Sequence, residues 1–284
     1  MRILTVPNWS FGRDSDLLRR FGERLAGLDV HFLRSDVDHN RTVSAFSGES
    51  ATVFEALMRL MDEAKDRIDL NHHVGVHPRI GGLDVCPFLP YDPTDRQELI
   101  LAVEQFARAF AAQFGIPTYL YEHSEKGRHE ADLPSLRRGG FGSMIGRKLR
   151  PDFGPEFAHP RLGVSVVGVR DFLVAMNVDL KGVEPDVAKD IAKQIRNLRA
   201  EGDPRFLGVR ALGFPLASRN LSQVSLNLTL PDITSIDAII DLITESAAAK
   251  GRQVAGSELI GVIRRRDLLS GERLPYSPQQ VVDL

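Results

Sequence analysis

One order of hydrophobic patterns, strand, helix, strand, strand, helix, strand, is read twice along this chain, and it restricts the fold more than any other feature. In the first half RILTVP reads as a strand, and SDLLRRFGERLAG sets Leu17, Leu18, Phe21 and Leu25 at helical spacing. LDVHFLRSDV and TVSAFSG are strand patterns on either side of the polar turn VDHNR. TVFEALMRLMDEAKDRI then places Phe54, Leu57, Leu60, Met61 and Ala64 on one helical face, and GGLDVCPFLP returns to a strand. A further helix in DRQELILAVEQFARAFAAQFG, stopped by Gly115-Ile116-Pro117, and the short strand TYLY extend this unit. The second half has strands in LGVSVVGV and DFLVAMNVDL, a helix in VAKDIAKQIRNLR, and strands in GVRALGF and SQVSLNLTL. A helix in TSIDAIIDLITESAAAKG and a strand in QVAGSELIGV complete it.

A β-α-β-β-α-β unit folds as a sheet with its helices on one face. The expected class is therefore α/β in the α+β sense: two ferredoxin-like subdomains with mixed or antiparallel sheets and helices packed on one face. Their expected limits are residues 1–178 and 179–284, with the division near Asp179 to Pro185. Residues 122–161 are rich in Gly, Pro and charge and poor in β-branched side chains, so an irregular covering segment is expected there.

The chain has 43% hydrophobic and 26% charged residues, enough to bury a core beneath a polar surface. Lys+Arg 36 against Asp+Glu 38 leaves a net charge of -2, which argues against a nucleic-acid-binding surface. No apolar run approaches the roughly 20 residues that cross a bilayer, so no membrane partner is expected. A single cysteine, Cys86, forms no internal disulfide or thiolate cluster and fits a cytoplasmic setting.

The richest polar stretch is NHHVGVHPRIGGLD, Asn71 to Asp84, with three imidazoles, a guanidinium and a carboxylate around glycines and a proline. Imidazole exchanges protons near neutral pH and guanidinium holds carboxylates, so His77 and Arg79 can divide base and anchoring roles. A plain interstrand loop is the competing reading. A His73/His77 metal pair lacks any HExxH pattern or spaced cysteines, and no metal is expected. In RSDVDHNRT, Asp38 can orient an imidazole, while His39 and Asn40 can equally serve turn geometry. VPNWSFGRD brings Asn8, Trp9 and Arg13 either to a ligand mouth or under a loop. From Leu133 to Pro151 come Arg137, Arg138, Arg147, Lys148 and Arg150 with no acidic residue, a local positive potential without a phosphate-loop motif. Arg170 follows a strand, Asn177 lies in DFLVAMNVDL, and Gln223, Ser225 and Asn227 share one strand face.

Eight collinear blocks, VPNWSFGRD, DHNRTVSAFSG, HHVGVHPRIGGLDVCPFLP, GIPTYLY, RPDFGP, VGVRDFLVAMNV, SQVSLNLT and GSELIGV, resemble the formiminotransferase domain of glutamate formimidoyltransferase, as in the N-terminal part of formimidoyltransferase-cyclodeaminase. The resemblance implies transfer of the formimidoyl group of N-formimidoyl-L-glutamate to N5 of tetrahydrofolate, in histidine degradation. It also implies folate bound in a cleft between two ferredoxin-like subdomains, a homodimer, and no fused cyclodeaminase. On the matching positions His77 would be the catalytic base and Asp38 its electrostatic support. Asn8, Arg41, Arg79, Arg170, Asn177 and Gln223 would bind folate and the substrate carboxylates. Four positions depart from the family pattern: Phe11, Val76 and Glu122 stand where an acid, a Glu and a glycine are usual, and Asp171 follows Arg170 where a Lys is common. These departures leave two alternatives beside the ordinary reaction, a divergent folate-dependent formyl or one-carbon transferase and a catalytically weak folate-binding homologue.

Overall fold

The first strand pattern is interrupted by Pro7, which has no N–H to give a ladder, so it forms two segments, β1 (Arg2–Thr5) and β2 (Asn8–Trp9). Both lie in the same lane, between β4 (Arg41–Glu49) and β5 (Leu83–Pro90). Helix α1 (Ser15–Arg24), started by Asp14, whose side chain accepts from Leu17 N at 2.9 Å, leads into β3 (Asp29–Asp36), which pairs with β4. Helix α2 (Ser50–Ala64) connects β4 to β5. The four lanes run β5, β1/β2, β4, β3, the ferredoxin-like order, with antiparallel pairing throughout.

The first unit then grows beyond that arrangement. Helix α3 (Arg96–Phe114) ends on Gly115 at φ 65, a left-handed cap that glycine adopts without a Cβ clash. It is a crossover to β6 (Thr118–Leu120), and β7 (Ser165–Val169) inserts between β6 and β5, parallel to both. The sheet is therefore mixed and has seven strands. Leu17, Phe21, Leu57, Leu60, Val103 and Phe110 from the three helices pack on Ile3, Phe46, Phe88 and Val167. Each such side chain contributes about 1.5–3 kcal/mol on burial.

Between β6 and β7 the chain is irregular, as its composition predicts, apart from the short helix α4 (Leu133–Leu136) and two single 3-10 turns. Leu133 and Leu136 pack against a second, smaller cluster that contains Ile80, Val85, Tyr119, Tyr121 and Val166. The segment thus covers apolar strand residues that the main helical core does not use.

The structure, a computed structural model that describes residues 1–284, divides into units Met1–Arg170 and Asp171–Leu284. The division comes earlier than the boundary expected after residue 178, because β8 (Val174–Lys181) is one strand paired on both sides, and a cut after residue 178 would split it. In the second unit β8, α5 (Asp186–Ala200), β9 (Val209–Leu216), β10 (Leu221–Leu228), α6 (Ile236–Ala249) and β11 (Val254–Ile260) form a four-stranded antiparallel sheet in the order β11-β8-β10-β9. Ile191 and Ile195 of α5 and Ile239 and Ile243 of α6 bury Met176, Val178, Val224 and Leu226. After β11 the chain adds β12 (Ile263–Arg264), paired in parallel with β13 (Val281–Val282), which hydrophobic periodicity did not reveal. Arg264 is buried there, its guanidinium held by Asp267 at 2.7 Å and Asp232 at 2.9 Å.

No helix is long and apolar enough to cross a membrane.

Candidate active site

The loop from residue 70 to 82 has no regular secondary structure, so its backbone groups must find partners elsewhere. Val76 N donates to Asp38 O at 3.1 Å, Asn40 Nδ2 donates to Val74 O at 3.1 Å, and His73 Nε2 donates to Asn40 O at 2.8 Å. Asn40, left-handed at φ 46, also accepts from Gly12 N through Oδ1 at 2.8 Å. The β3–β4 turn thereby joins the first turn of the chain to the loop. The approach is close enough that a Cβ on Gly75 would lie 2.2 Å from His39 O, and one on Gly12 would lie 2.1 Å from Asp36 O.

Arg79 is directed inward. Its guanidinium donates to the carbonyls of His77 at 2.8 Å, His73 at 2.9 Å and Gly75 at 3.2 Å. The guanidinium expected to anchor substrate carboxylate staples the loop carrying His77 and also lines the His77 recess. Burial holds its basicity below the ordinary arginine value.

His77 sits in a small recess with His39, Arg41, Arg79 and Asp84. Its Nδ1 is 2.9 Å from Pro78 O. A carbonyl only accepts, so Nδ1 carries the proton and Nε2 carries the lone pair of the neutral ring. Desolvation among protein groups, then the positive charges of Arg41 and Arg137, hold the His77 pKa well below the ordinary histidine value. The His39 ring, itself buried, lies 5.8 Å from that of His77. His73 is likewise neutral: burial first, then Arg79, lowers its pKa to about 4. The result is a basic nitrogen that stays unprotonated at neutral pH in a cationic setting.

The other expected site residues fall into four groups. Arg41 shares the recess, and Asp38 adjoins it, its carbonyl holding Val76 N and its own amide bound to Asp36 Oδ1 at 2.9 Å. Asn8 is turned to its own strand, Nδ2 donating to Val6 O at 3.2 Å, and Trp9 is fully buried edge-on to Phe21 while it also lines the His77 recess. Phe11 packs edge-on to the same Phe21 at 5.0 Å, so it fills core volume. Arg170, at the end of β7, acts electrostatically on the buried phenol of Tyr121, whose pKa burial raises. In the second unit Asn177 Nδ2 donates to Glu258 at 2.9 Å and Gln223 Nε2 donates to Asp179 at 2.8 Å, a polar cluster on the sheet face opposite its helices.

Two further residues, Asp84 and Arg137, meet beside the recess. Asp84 is buried, and its Oδ1 accepts from Ile80 N at 2.7 Å and Gly81 N at 3.1 Å. Its Oδ2 binds the guanidinium of Arg137 from the covering segment. Nothing in the local sequence announces a pairing between residues so far apart. No group of three or more His, Cys, Asp or Glu side chains is placed to hold a metal ion.

Comparison with known proteins adds to this geometry. The N-terminal subdomain of the formiminotransferase domain matches residues 2–170, and the formiminotransferase domain proper matches residues 175–280. The chain belongs to the formiminotransferase family. It is 34% identical over 271 residues to glutamate formimidoyltransferase of Streptococcus pyogenes serotype M1, covering 93% of this chain and 89% of that protein. It is 32% identical over 273 residues to glutamate formimidoyltransferase of Thermoplasma acidophilum, covering 93% and 88%. Formimidoyltransferase-cyclodeaminase of Sus scrofa is 32% identical over 275 residues, which are 93% of this chain and 50% of that protein.

Proposed function

We propose that this enzyme is a glutamate formimidoyltransferase, moving the formimidoyl group from N-formimidoyl-L-glutamate to N5 of tetrahydrofolate. Family membership supports the reaction class. The observation that carries the assignment of roles is the neutral His77 imidazole, its Nδ1 proton given to Pro78 O, in a recess it shares with Arg41.

In this transfer a bond forms between N5 and the formimidoyl carbon while the bond from that carbon to the glutamate nitrogen breaks. The N5 nitrogen loses one proton and the departing glutamate nitrogen gains one, so a single base that takes and returns a proton balances the reaction. His77 Nε2 is that group, and its lowered pKa keeps it able to accept at neutral pH. Arg79 holds the loop that aims the ring, and Asn40 fixes that loop against the β3–β4 turn. Arg41 and Arg170 supply positive charge suited to glutamate carboxylates and the folate tail, both anionic at this pH. Asp38 supports the site through the backbone bond to Val76 as well as through its charge. Asn177 and Gln223 are proposed folate contacts, and no metal is required. The proposal includes a homodimer in the cytoplasm, checked by light scattering of the purified protein and by cell fractionation.

The test is to incubate the purified protein with tetrahydrofolate and N-formimidoyl-L-glutamate, following 5-formimidoyltetrahydrofolate and glutamate together. Equal formation of both products is expected. Folate binding without either product, or turnover only with a formyl donor, contradicts the proposal.

A further inference from the structure

The covering segment reaches the His77 loop through one side chain whose environment is built from several directions. Asp132 starts α4, its Oδ1 accepting from Ser135 N at 2.8 Å, and Leu133 and Leu136 pack into the cluster that contains Ile80. Arg137 ends this short helix, its N donating to Leu133 O at 3.0 Å. Its guanidinium meets the Asp84 carboxylate, which also accepts from the two amides that follow Arg79. The Arg137 side chain is only 13% exposed and that of Asp84 5%. Phe141 N closes the same contact by donating to Arg79 O at 3.1 Å.

We propose that Arg137 is a positioning residue of the His77 site: it clamps the covering segment onto Asp84 and sets a fixed positive charge toward the His77 ring. The catalytic consequence rests on the reading of His77 as the base; the electrostatic claim is measured on the ring itself. His39 and Arg41 line the recess with His77 from the β3–β4 turn, Arg79 from its own loop and Asp84 from β5, and Arg137 reaches the recess from the covering segment through its bond to Asp84. Asp84 is the one carboxylate that lines the recess, with Asp38 adjoining it on the β3–β4 turn, and Arg137 engages Asp84. Removing the guanidinium therefore withdraws a cation from the imidazole and leaves a buried carboxylate without its counter-charge. Both changes favour the imidazolium, so they act in the same direction.

The experiment is an NMR titration of the His77 ring in protein labelled at histidine nitrogen, its signal identified among eight histidines by its loss in His77→Ala. In Arg137→Gln the His77 pKa should rise by about one pH unit or more, and in Arg137→Lys it should stay nearer the wild-type value. The acidic limb of kcat against pH should move upward with the ring in Arg137→Gln. An unchanged ring titration in a folded Arg137→Gln protein overturns the proposal whatever the activity. A raised ring pKa with an unmoved acidic limb supports the proposal and instead contradicts His77 as the base. Should Arg137→Gln fail to fold, Asp84→Asn/Arg137→Gln carries the same test: its His77 pKa should still exceed the wild-type value, and equality with wild type overturns the proposal.

Discussion

His77 and His129 each donate Nδ1–H to a main-chain carbonyl, Pro78 O at 2.9 Å and Glu130 O at 2.8 Å, but their surroundings otherwise have opposite charge. Arg41 and Arg137 stand near His77, whereas the Nε2 of His129 is 2.7 Å from the Asp152 carboxylate. His129 consequently has a donor task at both nitrogens, and although burial opposes the charge, the bonds to Asp152 and Glu130 raise its pKa above the ordinary value. Asp152 also accepts from Leu120 N at 2.7 Å, so the charged pair fastens the covering segment to β6. Two histidines near the same covering segment thus do different work: a charged one ties the segment down, and a neutral one retains a basic nitrogen. The difference lies in the neighbours, since the side chains are alike.

That contrast can be broken most severely at the charged pair. His129→Gln leaves the buried Asp152 carboxylate without its cation and should cost about 3–5 kcal/mol of unfolding free energy, read by urea denaturation. A loss below about 1 kcal/mol would mean that the pair does not hold the segment. At the neutral histidine, Gly75→Ala forces a methyl group against His39 O and displaces the loop, so kcat should fall about 100-fold, with tetrahydrofolate affinity measured in parallel. Wild-type kcat in that variant would show that the loop tolerates the displacement. Asn40→Ala removes bonds to both Gly12 and Val74 and should destabilise the protein by about 1–2 kcal/mol, read by the same denaturation.

The pH dependence of stability sharpens the comparison, because the two environments have opposite signs. His73 and His77 titrate lower in the folded state than in the unfolded chain, so the unfolded state binds more protons as pH falls below about 6.5. Stability should decline over that acidic range, toward about 4 in the case of His73. His129 titrates higher when folded, so its contribution is fully present below about 6.5 and is lost as pH rises through its raised pKa. His129→Gln should flatten the alkaline decline and leave the acidic one in place. An unaltered alkaline decline would remove His129 from the account.

Much of the fold is legible because its signals are local. The spacing of Leu57, Leu60, Met61 and Ala64 defines a helix face without reference to the rest of the chain, and the two β-α-β-β-α-β orders follow from such patterns. The insertion of β7 between β5 and β6 is not local, and no periodicity in residues 165–169 says which neighbours that strand takes. The same divide runs through the site. The types of residue in HHVGVHPRIGGLD suit proton transfer and anion handling, and they make His77 the candidate base proposed here. They do not reveal that the Arg79 guanidinium binds the loop's carbonyls, because that depends on a backbone path shaped by Asn40 and Gly75. The Asp84–Arg137 pair is less legible still, since residues 53 apart in sequence meet only after the covering segment has folded.

The most direct test of the central claim is kcat for His77→Gln relative to wild type, at neutral pH with tetrahydrofolate and N-formimidoyl-L-glutamate both saturating. Gln keeps polarity and approximate size but cannot accept and return a proton, so kcat should fall by about 10²–10⁴-fold while tetrahydrofolate affinity and unfolding free energy stay near wild type. A His77→Gln enzyme that turns over at the wild-type rate would contradict the assignment of His77 as the base.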